Sequence, residues 1–135
     1  MIRNGFHIIS TAQGGTGTFS KWSDGLLLYE LEAGNDVHTT ISDLEKDVSA
    51  AKSVQNGERS IFLSDIRQLR HLSRDKQQFI SKQMPGFSTA AAALVASPLS
   101  RIVMNGFILL FRPDIPTRLF DDPEKAIEWL KKQAT

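Results

Sequence analysis

The densest run of side chains able to do chemistry is Asp65, Arg67, Arg70, Ser73, Arg74 and Asp75. It follows Arg59-Ser60-Ile61-Phe62-Leu63-Ser64-Asp65, a short apolar run of the kind that forms a buried strand. In open α/β sheets, ligands and partners favour the carboxyl ends of parallel strands. The run therefore offers a charged partner surface. The plainer reading is that Asp65 satisfies backbone donors while the arginines are solvated. Ser73 also has two readings. As a phosphoacceptor it would place a dianion at a helix N-terminus near arginines. As an ordinary N-cap it would only satisfy a backbone amide.

A second group is Ser97, Ser100, Arg101 and Asn105. Ser97-Pro98 is a helix start, since serine caps and proline suits the first helical position. Arg101 and Asn105 then lie one turn apart on a shared face, placed to grip an anionic or polar ligand or to make tertiary hydrogen bonds. The same predicted helix, running to about Phe111, is apolar almost all round, with Met104, Phe107, Ile108 and Phe111 among its large side chains. One side must meet the sheet. The other is left for a second subunit, a lipid-like ligand or a neighbouring helix.

Other signals are weaker. Gly14-Gly15-Thr16-Gly17 lacks the lysine and the helix of a phosphate-binding loop and reads as a hairpin turn. His7, His38 and His71 have no mutual ligand spacing, so no metal or other cofactor is expected. The chain has no cysteine, which removes disulfides, thiol nucleophiles and most structural zinc sites. Sixteen basic residues against fifteen acidic ones leave a net charge of +1, without the basic surplus of a nucleic-acid binder.

The elements that must position these residues follow from periodicity. Phe6 to Thr11, Thr18 to Trp22 and Leu26 to Leu31 read as an antiparallel meander. Ile41, Leu44, Val48, Ala51 and Val54 then recur at helical spacing, opened by a Thr40/Asp43 capping pair and stopped by Asn56-Gly57. A helix is predicted from Ser73 to Gln83, ended by Met84-Pro85-Gly86. Thr89 to Ala96 is alanine-rich, which favours helix by propensity. Lying between Gly86 and Pro98 and ending in Leu-Val, it reads as a strand. Its small side chains would let a helix pack closely. Ile115 to Phe120 gives a last strand, with Pro116 marking an edge. Asp121-Asp122-Pro123-Glu124 starts a helix that carries Ala126, Ile127 and Leu130 on one face.

The expected fold class is thus α/β: a β-meander followed by βα units, giving a mixed, mostly parallel sheet with helices packed on it. At 135 residues, one domain is expected. The first residues lack the apolar stretch of a signal peptide, and Ile102 to Phe111 is too short to span a bilayer. A soluble, cytoplasmic protein without a membrane span is expected.

This order of elements resembles the STAS-like group of anti-sigma-factor antagonist-like (SpoIIAA-like) domains. Leu63-Ser64-Asp65-Ile66-Arg67-Gln68-Leu69-Arg70-His71-Leu72-Ser73-Arg74-Asp75 follows the spacing of that family. On the resemblance, Asp65 is the acid ending a central strand, and Ile66, Leu69 and Leu72 are the apolar anchors of the loop. The family's phosphoacceptor pair is not conserved in type: Ser73 stands in place of its aspartate and Arg74 in place of its serine. The segments Ser97-Pro98-Leu99-Ser100-Arg101, Pro116-Thr117-Arg118-Leu119-Phe120 and Ala126-Ile127-Glu128-Trp129-Leu130, with Asn105 and Phe107, also resemble small uncharacterised bacterial STAS-like proteins. That likeness implies a fold and no particular activity.

Three functions stay open. The first is a non-enzymatic regulatory module, a homodimer that meets a protein partner through Asp65–Asp75. The second is a carrier or sensor of a small hydrophobic ligand beside the Ile102–Phe111 helix. The third is an enzyme using Asp65, His71 or Arg101.

Overall fold

The structure, a computed structural model, describes residues 1, 3–32, 39–97 and 114–134. Three strands come first: β1 (Ile8–Gln13), β2 (Gly17–Trp22) and β3 (Leu27–Leu31). Then follow α1 (Ile41–Gln55), β4 (Ser60–Asp65), α2 (Arg74–Gln83), β5 (Ser88–Leu94), β6 (Thr117–Phe120) and α3 (Pro123–Gln133). The strands lie side by side in chain order. β1–β2 and β2–β3 are antiparallel, and β3–β4, β4–β5 and β5–β6 are parallel. The expected meander followed by a parallel sheet is present, and β6, which follows Pro116, forms an edge.

Alternation along the strands sorts the core onto two faces. Phe19, Leu27, Tyr29, Phe62 and Ala91 face one side, where Ala50, Ala51 and Val54 of α1 cover them and Ile80 of α2 packs alongside. Trp22, Leu28, Ile61, Leu63, Ala90, Ala92 and Phe120 face the other, where Ala126 and Leu130 of α3 close the layer. Successive right-handed crossovers that advance in one direction must place their helices on one face, which accounts for α1 and α2 sharing a side.

The helix ends follow the expected local chemistry. Thr40 and Asp43 form a reciprocal capping box on α1, and Asn56 ends that helix in a left-handed conformation. Asp122 caps α3 by accepting from the Glu124 amide at 3.1 Å, with Pro123 at the first helical position. The alanine-rich segment is a strand, as its flanks imply. Ala90 and Ala92 are 1% exposed beneath α3, so the small side chains do bring a helix close to the sheet.

Several boundaries move. The first strand begins at Ile8 rather than Phe6 and extends to Gln13, because its ladder with β2 continues to the Gln13–Thr18 pair. The third begins at Leu27, and the last spans Thr117–Phe120 because its pairing with β5 begins at Thr117. Ser73 occupies the N-cap position of α2, but its side chain makes no capping bond. Its hydroxyl donates to Asp75 instead.

Candidate functional site

The run from Asp65 to Asp75 resolves into two local pairs, one at each end of the β4–α2 connection. Asp65 ends β4 and by strand alternation belongs to the face of Ile61 and Leu63. The Arg67 guanidinium folds back on it, with Nε to Oδ1 at 2.9 Å and Nη2 to Oδ2 at 2.7 Å, and the Arg67 amide adds a third bond at 3.3 Å. Burial pushes the Asp65 carboxyl up, but these hydrogen bonds outweigh it and hold the group below its ordinary range. Ser73 and Asp75 form the second pair, whose hydrogen bond holds the Asp75 carboxyl low. Arg70, His71 and Arg74 are exposed.

The inner side of the same loop is apolar. Ile66, Leu69 and Leu72 are half-buried and line a cavity of about 210 Å³ between the sheet, α1 and α2. Phe19, Tyr29 and Phe62 contribute from the sheet, Leu44 and Val48 from α1, and Ile80 and Met84 from α2 and the turn after it. The residues that the family resemblance marks as loop anchors thus form one wall of this space.

One wall carries a polar group that sequence reasoning missed. Asp47 of α1 is 8% exposed. Its Oδ1 accepts from the Thr16 amide at 3.0 Å, its Oδ2 accepts from the Thr16 hydroxyl, and the Gly15 amide also donates to it. The Thr16 hydroxyl in turn lies 2.5 Å from the Tyr29 hydroxyl. Burial pushes the Asp47 carboxyl up, against the pull of these donors, and burial likewise raises the Tyr29 phenol. The turn read as a simple hairpin therefore also docks onto α1. A Cβ on Gly14 would sit 2.2 Å from Asp47 Oδ1, and one on Gly15 would sit 2.2 Å from the Asp43 carbonyl oxygen. The available signal was an aspartate three residues after Leu44, on the buried stripe of an amphipathic helix.

The second expected group lies mostly outside the described residues: Ser100, Arg101, Met104, Asn105, Phe107, Ile108 and Phe111, with the proposed dimer and ligand contacts of that helix and with His38. Ser97 is described and half-buried. Among the described residues, no cluster of three histidine, aspartate or glutamate side chains is placed to hold a metal, and no helix is long and apolar enough to cross a membrane.

Against known structures, the chain is similar to an uncharacterised protein of the DUF3478 family from Shewanella loihica PV-4, described as having a SpoIIAA-like fold. Identity is 16% over 96% of this chain and 98% of that one, with a TM-score of 0.54. The fold is accordingly SpoIIAA-like, as the order of elements and the Leu63–Asp75 spacing implied. The chain itself belongs to the DUF7793 family, a domain of unknown function whose model matches residues 21–134. A comparison with curated proteins gives no match.

Proposed function

We propose that this chain is a non-enzymatic, ligand-responsive interaction module. The cavity holds a small hydrophobic molecule, and the loop over it presents the occupied state to a protein partner. One observation supports this reading above others. Ile66, Leu69 and Leu72 line the cavity, while Arg67, Arg70 and Arg74 of the same stretch are exposed. Anything that fills the cavity presses on residues one or two positions from those charges. The loop also leaves the carboxyl end of a parallel strand, where such sheets commonly meet their partners.

The partner surface is tested by cross-linking in the source cells with wild type, Arg67→Glu and Arg74→Glu, each checked for folding by circular dichroism. Loss of the same cross-linked partner in both folded variants is expected. Equal capture by both variants and wild type would overturn the assignment.

A further inference from the structure

The cavity has a chemical polarity, and it resides in the buried Asp47–Thr16–Tyr29 chain. The Thr16 hydroxyl has one proton, and it is directed to Asp47 Oδ2. With Asp47 as a carboxylate, which can only accept, the Thr16 proton goes to it and the contact between Thr16 and Tyr29 uses the proton of Tyr29. With that proton committed, the phenolic oxygen has only lone pairs left to offer. Asp47 is itself an acceptor, receiving two donors from Thr16 and one from Gly15. All three side chains line the cavity. Its polar end thus combines a hydroxyl that can only accept with a buried carboxylate, set against walls of Phe62, Leu72 and Ile80.

We infer that the cavity takes a small amphiphile with a hydrogen-bond-donating, cationic head, a short-chain primary amine, and discriminates against the carboxylate of the same length. The head would donate to the Tyr29 oxygen, with the Asp47 charge behind it. The tail would lie along the apolar walls. A fatty-acid head would bring acceptor against acceptor and anion against anion, both unfavourable beside polar groups that are themselves buried. Size points to a short chain: the cavity holds about 210 Å³, and on the order of 150 Å³ suffices for benzene.

This inference rests on the cavity being a ligand site, so the experiment separates the two. Toluene, hexylamine and hexanoate are titrated into the full chain by calorimetry, with Tyr29→Phe as the variant that keeps the ring. Hexylamine is expected to bind about ten-fold or more tighter than hexanoate, the weight of one hydrogen bond to a charged group. Tyr29→Phe should reduce that preference, leaving the part due to the Asp47 charge, and the toluene titration of the same variant reports whether the apolar walls are intact. Toluene binding with no preference for the amine would overturn this inference and leave the ligand reading standing. Failure of all three probes to bind would overturn both. The wild-type comparison of amine with acid needs no variant to fold.

Discussion

Two single residues carry much of the local chemistry. Gly15 allows α1 to lie directly on the hairpin turn, since a Cβ there would collide with the Asp43 backbone carbonyl rather than with a movable side chain. Gly15→Ala is expected to lower stability by about 2 kcal/mol, within the range for overpacking a close contact, read from the urea midpoint. Asp24 is the second. Arg3 reaches its two oxygens at 2.9 and 2.5 Å, and Lys131 reaches Oδ2 at 3.2 Å. Burial pushes this carboxyl up, but the Arg3 and Lys131 bonds prevail and bring it down from 3.8 to about 2. A carboxyl lowered on folding stabilises the protein above its unfolded value, and that contribution is lost as pH falls through the folded one. Asp24→Asn should therefore cost on the order of 1 to 2 kcal/mol at neutral pH after solvent screening, and the gap from wild type should narrow between about pH 4 and pH 2. Denaturation curves at stepped pH check this. Asp47 runs the other way: its carboxyl is raised on folding, so its contribution falls as pH rises past the ordinary aspartate value.

At the scale of elements, much was legible because local signals and packing agree. The Thr40/Asp43 box, the Asn56 stop and the Asp122-Pro123 start are short-range chemistry and stand as read. Thr40→Ala should destabilise α1 by about 1 kcal/mol, seen as an earlier thermal midpoint. The alanine run was decided by its flanks, because alanine's helix propensity alone points the wrong way. The turn at Gly14–Gly17 was read only halfway. Its hairpin role is local, whereas its contact with Asp47 spans 31 residues in sequence and appears only once α1 is laid on the sheet. Ser73 fails differently: the right residue type stands at the N-cap, but Asp75, two positions on, accepts its hydroxyl's hydrogen bond. The loop charges likewise could be named from sequence, but not divided into an Asp65–Arg67 pair and a Ser73–Asp75 pair.

For the whole molecule, the alternation of β and α segments gave the topology, since right-handed crossovers in one direction allow little else. What alternation could not show was the space left between α1, α2 and the sheet. A cavity depends on the sum of side-chain volumes across distant elements, and Leu44, Phe62, Leu72 and Ile80 have no common sequence signature. The proposed function stands on this space holding a small hydrophobic molecule beneath the loop. Leu72→Trp fills it from the loop side without altering the sheet, so it isolates that claim. The most direct measurement is native mass spectrometry of wild type and Leu72→Trp, purified gently and in parallel from source cells. Wild type is expected to carry a small bound mass that is lost from the folded variant. A bare chain in both, or the same bound mass in both, would contradict it.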